Sequence, residues 1–415
     1  PTVVDDDGTA DFNLKTVANG NNIYFVWSNL KEKITAKEIE SLDSESVASK
    51  CEVEYANLNT DTMKISGSSV ITSNNNLDTI PDAYVNDGKV YVGWVENSNN
   101  DILNLRGTNK IHLGEIDGNK YIEKQAKSVS NPIKQVSIGK LGDNVELAYI
   151  EKNNDENSLN TMDIYGKINN IKSMSGIIEN ATYSKIDNKD SLLWYSNENN
   201  INTINCLDSE KMSISKLIED NQVNSDFYIV NEGERDILLS SANEGSSNSQ
   251  AIGYVIGQGN GYVELLNSKN KIGNISAVYD DGKYTLLYTD TVANVGENSV
   301  DTATDLKIKS VKTDSLVKIE SVDYLAEDIM PENEMTITAK IKNDGLLSEN
   351  DNVSLVAYYE NNEIGRKTVT DIQSGEEADI NIDVKLPENL SKDSNITIKA
   401  LKQNEAQDTY NETIN

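Results

Sequence analysis

The chain has 415 residues, enough for two or three domains, and its 37 basic against 68 acidic residues leave a net charge of −31. That balance excludes nucleic acid as a partner and disfavours anionic membranes, since both are bound through clustered Lys and Arg. No apolar run approaches the roughly 20 residues that span a bilayer, so no membrane insertion is expected. Tyr (19) far outnumbers Phe (3), Val, Ile and Thr are plentiful, and long helical periodicity is missing. These residues suit pleated, half-buried surfaces and point to strands. The chain opens at Pro1 without a basic-then-apolar leader and reads as a mature or excised fragment of a secreted protein.

From the N-terminus one pattern recurs six times: a strand, a tight Gly/Asn/Asp turn, then an apolar strand that often closes on an aromatic. The first runs from Val17 through Asn19-Gly20 to Trp27, and the second from Tyr84 through Asp87-Gly88 to Trp94. The third closes on Tyr149 after Gly142, and the fourth on Trp194 after Asp187-Asn188. The fifth reaches Leu239 after Gly233, and the sixth reaches Tyr288 after Asp281-Gly282. Asn-Gly and Asp-Gly between apolar runs mark hairpins, because both central residues need φ > 0. Between successive anchors lies a second hairpin, over 51–71, 110–129, 161–178, 201–218 and 250–266. Four short strands per repeat at this length describe propeller blades, so a six-bladed β-propeller is expected over residues 1–312. The sixth repeat stops at its third strand, Asp305–Lys312. Aligning Trp27 with Trp94 sets Val3-Val4 against Val70-Ile71, so Val3-Val4 is expected to supply the fourth strand of blade six and cover its open edge.

Residues 316–415 change character and give seven short alternating runs, the length and strand count of an immunoglobulin-like β-sandwich. The fold class expected for the whole chain is therefore all-β: a six-bladed β-propeller followed by an immunoglobulin-like β-sandwich. Three stretches here are more specific: Glu334–Gly345 (EMTITAKIKNDG), Ser374–Ile382 (SGEEADINI) and Asp408–Thr413 (DTYNET). Together they resemble the CARDB family, the cell-adhesion-related domain of bacteria. The resemblance covers about a quarter of the chain. It implies an extracellular or cell-surface role in adhesion and brings no catalytic residues with it.

Catalytic chemistry has little to build on. The one histidine, His112, has no Ser or Cys context for a triad and reads as structural. Cys51 and Cys206 fall in blades one and four and are expected to stay free. The run Asp5-Asp6-Asp7-Gly8-Thr9-Ala10-Asp11 invites a calcium reading, but an EF-hand loop would need acids where Val3 and Leu14 stand. No metal site and no cofactor are assigned. Trp27, Trp94 and Trp194 hold equivalent places, which points to packing between blades. The connections from second to third strand look long at 28–50, 95–108, 150–160, 240–249 and 289–304, all on one face, with helix-forming residues inside 31–49. On that face an Asp or Asn precedes each hairpin turn by eight to eleven residues: Asp11, Asp78, Asn131, Asn180, Asn224 and Asn274. These six are the candidate ligand-binding residues at the mouth of the central channel; the competing reading is that Asx side chains start turns by bonding their own backbone. The function expected is non-catalytic adhesion or recognition of an extracellular glycan or protein ligand, with the sandwich as spacer. The alternatives are a carbohydrate-active hydrolase or lyase using acids at the channel mouth, and a purely architectural surface segment.

Overall fold

The computed structural model describes residues 8–41, 43–102, 108–118, 120–153, 156–231, 235–244, 248–257, 261–280, 283–295, 300–312, 314–325, 329–346, 348–349, 351–391 and 395–413. It is all-β, with six antiparallel meander sheets in a propeller arrangement followed by a seven-stranded sheet. The chain divides into two compact units, Pro1–Asn221 and Gln222–Asn415.

The first unit holds blades one to four. Blade one pairs Asp11–Asn19, Asn22–Leu30 and Cys51–Asn59, with the two-residue strands Lys64–Ile65 and Ser69–Val70 both on the last of these. Blade two is Leu77–Asn86, Lys89–Asn97, Asn109–Asp117 and Lys120–Val129. Blade three is Ile133–Leu141, Asn144–Asn153, Glu156–Asp163 and Ile168–Met174. Blade four is Ile177–Ile186, Lys189–Glu198, Ile201–Asp208 and Ser213–Glu219. The turn at Asp87-Gly88 has φ of 49° and 74°, the left-handed pair that a two-residue hairpin demands.

In blades two, three and four the closing aromatic packs the blade onto the one before it. Trp94 shares a core with Val26 and Val53 of blade one. Tyr149 does so with Val95 and Ile111 of blade two, and Trp194 with Ala148, Ile150 and Leu159 of blade three. Burying such side chains contributes about 1.5–3 kcal/mol each relative to exposure, and it ties sheets that share no ladder hydrogen bonds.

The expected long connections are found only in blades one and two among the described residues. In blade one the connection carries two short helices, Ala36–Ser41 and Ser44–Ala48. Thr35 donates from N and Oγ1 to Glu38 Oε2, both at 2.8 Å, and Lys50 Nζ reaches the same oxygen at 2.9 Å. With Lys50 and Thr35 against it, the Glu38 carboxyl drops to about 2. The loops expected at 150–160, 240–249 and 289–304 are instead mostly strand. In blade six the second and third strands stay paired as far as Val295↔Val300. Thr289, Thr291, Val292, Thr302 and Thr304 are β-branched, and a stretch that looks polar enough for a loop pairs as a long hairpin.

The second unit holds blades five and six and the C-terminal sheet. Blade five is Phe227–Asn231, Asp236–Glu244, Asn248–Val255 and Val263–Ser268. Blade six is Lys271–Asp280, Lys283–Val295 and Val300–Lys312, three strands among the described residues. Val3-Val4, expected to add the fourth, lies outside the described residues, as do Gly233 and Asp281-Gly282. The C-terminal strands are Val317–Asp323, Glu334–Asn343, Val353–Tyr359, Asn362–Val369, Glu377–Lys385, Asn395–Lys402 and Glu405–Thr413. They form one hydrogen-bonded sheet, joined at its middle by the single pair Gly365↔Val384. The first strand meets the last through Val317 N donating to Gln407 Oε1 (3.0 Å) and Ile319 N to Asp408 Oδ2 (2.8 Å). The strands expected as a sandwich thus wrap into a nearly closed, barrel-like sheet around one core that includes Ile337, Leu355, Ile382 and Ile398.

This sheet is fastened to blade five. Leu346, 1% exposed, belongs to the core of Val255, Val263 and Leu265. Arg235 Nη1 donates to Leu346 O at 3.1 Å, and Lys342 Nζ sits 5.0 Å above the Tyr262 ring.

Candidate functional site

The six Asx residues proposed for the channel mouth do not occupy one position. Asp11 and Asp78 each stand 16 residues before the closing Trp27 and Trp94. Asn180 and Asn274 stand 14 residues before Trp194 and Tyr288, where blades one and two have Asn13 and Ile80. All four of these latter residues are left-handed (φ 56°, 48°, 47° and 49°) and fall inside register shifts of the first strand. Each is the extra residue of a β-bulge, and Asn accepts that conformation better than most residues. The bulges are gripped by side chains from the preceding blade. Gln135 of blade three donates to Ala181 O and accepts from Ala181 N, both at 3.1 Å. The Asp226 carboxylate accepts from the N–H groups of Asn274 and Ile275, although burial raises its pKa. Asn131 and Asn224 lie ahead of their strands. Asn131 Nδ2 donates to Glu151 Oε2 (2.9 Å), and Asn224 Oδ1 accepts from Asp226 N (2.7 Å) in an Asx turn.

Asp78 stands apart. It is fully buried, accepts from Trp94 Nε1 and Asn74 Nδ2 (both 2.8 Å), and takes the Cys51 thiol on its own carbonyl. Burial, with Glu52 and Glu96 nearby, pushes its carboxyl up to about 7 against the hydrogen bond from Trp94. Burial beside Asp78 and Glu52 likewise pushes the Cys51 thiol up to about 12, which leaves it unreactive. Asp11, at the equivalent place in blade one, is exposed.

A different repeated feature binds the polar interior together. Two residues after the closing aromatic comes a polar side chain, and it meets the residue that faces the aromatic on the third strand. Asn29 Nδ2 donates to Glu54 Oε1 (3.2 Å), where Glu54 faces Trp27. Glu96 Oε2 lies 3.4 Å from His112 Nε2, where His112 faces Trp94. Asn160 Nδ2 donates to Glu151 Oε1 (3.0 Å), where Asn160 faces Tyr149. Asn205 Nδ2 donates to Ser196 Oγ (2.8 Å), where Asn205 faces Trp194. In blade six Lys307 pairs with Asp290, and Lys307 faces Tyr288. Diagonal neighbours on one sheet face come within reach of long side chains, and such pairs contribute about 0.2–1 kcal/mol each. His112 belongs to this series: it stacks on Trp94 (4.6 Å between centroids, 2° between planes), and its Nδ1 meets Glu123 Oε2 at 2.7 Å.

The series is filled differently from blade to blade. In blade three Asn170 Nδ2 adds a bond to Asn160 Oδ1 (2.9 Å), and in blade two Glu123 covers His112. In blade five the position facing Leu239 is Gly253, and Leu346 from the C-terminal sheet fills the space. In blade four Ser196 and Asn205 are both short and neutral. They form the floor of a cavity of about 410 Å3, together with Thr203, over Trp194 and beside Met174 of blade three. Lys216, which faces Asn205, turns to Glu219 instead of covering it. Thr203, Ser196 and Asn205 are 5%, 8% and 9% exposed, so the cavity floor is polar and sheltered. Among the described residues no group of three His, Cys, Asp or Glu side chains is arranged to hold a metal ion. Cys51 and Cys206 are both buried free thiols.

No family model matches the chain, and no curated protein matches it significantly. Several solved structures are weakly similar to it. A Trypanosoma rangeli sialidase mutant displaying trans-sialidase activity is 8% identical, over 98% of this chain and 85% of that one, with a TM-score of 0.46. A prolyl endopeptidase is 12% identical over 84% of this chain and 49% of that one, with a TM-score of 0.43. TolB from Acinetobacter baumannii is 15% identical over 83% and 84%, with a TM-score of 0.34. At this level of likeness nothing about activity passes to this chain.

Proposed function

We propose that the protein is a non-catalytic recognition module of a bacterial surface or secreted protein. Its propeller region holds an extracellular ligand, and its C-terminal, CARDB-like domain serves as the structural partner. The observation that supports this reading is the cavity on blade four. It presents an amide and hydroxyls on a sheltered floor, groups that fix a ligand by hydrogen bonds without transferring protons at neutral pH. The packing of Leu346 into blade five supports a C-terminal domain joined to its neighbouring blade through a shared core, as suits a structural partner. A combined glycan and extracellular-protein array tests the reading. Saturable binding without turnover is expected, and a blank array at physiological salt would count against it.

One observation favours a second reading, a carbohydrate-active hydrolase. Asp78, with its carboxyl pushed up to about 7, has the protonation a general acid needs. Full burial beneath Trp94 and Asn74 keeps it from any substrate in this conformation. Release of reducing ends from a polysaccharide panel, lost in Asp78→Asn, would replace the recognition reading with this one.

A further inference from the structure

The repeated diagonal pair is a slot that blades two, three and five fill, and blade four is where it stays open. Blade three closes its slot with Glu151, Asn160 and Asn170, and blade two with Glu96, His112 and Glu123. Blade five has Gly253 there and receives the side chain of Leu346 from outside the blade. The fold therefore already shows one slot occupied by a group that the blade does not own. Blade four has Ser196 and Asn205 and a cavity of about 410 Å3. That lies within the roughly 300–1,000 Å3 of ordinary small-ligand sites.

The chemistry of this cavity selects a ligand class. Asn205 gives one N–H to Ser196 Oγ, which leaves its second N–H, its Oδ1 and the Ser196 O–H. Among the described residues neither side chain makes a further hydrogen bond. Thr203, on the same sheet face, adds another hydroxyl. Part of the wall is apolar: Ile201 and Ile214 stand 45% and 47% exposed beside Trp194, among the polar Lys172, Glu198, Asn199, Ser215 and Lys216. A ligand that satisfies both needs hydroxyls along its edge and C–H groups on its faces, which is the surface of a pyranose ring. The charges at the rim balance. Lys216 is paired with Glu219, and Lys172 and Glu198 both line the cavity. A chain with a net charge of −31 also repels polyanions at long range. We propose that the cleft between blades three and four, floored by Ser196, Thr203 and Asn205, binds one residue of a neutral saccharide. This rests on the recognition reading above and names the ligand class for the same site.

The experiment titrates neutral mono- and disaccharides (glucose, galactose, mannose, N-acetylglucosamine and their β-linked dimers) and the matching uronic acids. The full chain is used, read by saturation-transfer NMR and tryptophan fluorescence at millimolar ligand. The key variant is Ser196→Glu, which rebuilds in blade four the Glu–Asn pair that blade three already holds as Glu151–Asn160. It should fold as the parent does and bind the neutral sugar about tenfold more weakly or worse. Thr203→Val, nearly isosteric, should weaken binding roughly fivefold by removing one hydroxyl, and it decides the matter should Ser196→Glu fail to fold. A neutral sugar that binds parent and variants alike overturns the site and leaves the recognition reading standing. Preference for the uronic acids overturns the neutral class. Silence from every sugar overturns the inference, and a protein ligand found on the array at the same time would show that recognition survives it. Silence on both would sink the two together.

Discussion

Leu346 Cδ2 lies 3.2 Å from where a β-carbon on Gly253 would stand, so a side chain of the C-terminal sheet occupies the space that blade five leaves by having glycine there. Leu346 is therefore a core residue of a blade it does not belong to. Leu346→Ala is expected to destabilise the second unit by about 2–4 kcal/mol, the usual loss for truncating a buried leucine with partial collapse of the cavity. Urea unfolding should show this as a lower midpoint with little change in slope. A midpoint unchanged from the parent would mean that the contact contributes nothing. Gly253→Val should be at least as damaging, since it must push out both Leu346 and Leu265.

Gly139, in the first strand of blade three, lies against the Tyr183 ring of blade four. A β-carbon at Gly139 would come within 2.1 Å of Tyr183 Cγ and 2.2 Å of its Cβ. Those are the stem of the side chain and cannot swing aside. Gly139→Ala should lower stability by about 1–3 kcal/mol through overpacking, measured by thermal unfolding. Tyr183→Gly removes both of those atoms, so Gly139→Ala should cost less in that background than in the parent. If it costs the same in both backgrounds, the two residues do not press on each other.

Asp78 makes stability depend on pH. Its folded pKa, about 7, lies above the ordinary value of 3.8, so between these values the folded state holds a proton that the unfolded state has lost. Its contribution is full below about pH 4 and fades as pH rises towards 7, at about 1.4 kcal/mol per pH unit at most. Asp78→Asn cannot ionise. The melting temperature of this variant relative to the parent should therefore rise between about pH 4 and about pH 7 and level off above that. A constant difference across that range would show that Asp78 is not held protonated.

Asn274 sits at φ 49° in the bulge of blade six, and its amide donates to Thr289 Oγ1 at 3.3 Å. If its role is backbone geometry, Asn274→Gly should stay within about 0.5 kcal/mol of the parent. Asn274→Val should lose about 1–2 kcal/mol, because a β-branched residue resists the left-handed region. Equal losses from both would assign the stability to the side chain instead. Binding lost in Asn274→Gly with stability intact would return the residue to the ligand-binding role first expected of it.

Much of the architecture was legible because hairpin turns leave a chemical mark. Asp87-Gly88 and Asp187-Asn188 are needed for positive φ, and the aromatics behind them anchor one blade on the next. The recurring polar residue two places after those aromatics (Asn29, Glu96, Glu151, Ser196, Asp290) is equally legible in the sequence. Its partners Glu54, His112, Asn160, Asn205 and Lys307 were not readable, because cross-strand register is set by pairing across loops of very different length. The Asx series does not share one strand position, for a related reason: at similar distances from the turn, Asp78 and Asn274 fall at different points of the strand because of the bulge.

Composition, alternation and turn residues alone determined that the chain is all-β, that it repeats in blade-sized units, and that its C-terminal quarter is a separate run of strands. Those are local properties, carried by each residue's preferred φ and by which side of a strand it faces. Tertiary structure alone decided that the seven C-terminal strands wrap into one nearly closed sheet and that Leu346 fills the gap at Gly253. It likewise decided that Ser196 and Asn205 leave a cavity where Glu151 and Asn160 do not. Such outcomes depend on the volume left between side chains far apart in sequence, and no single strand carries that quantity.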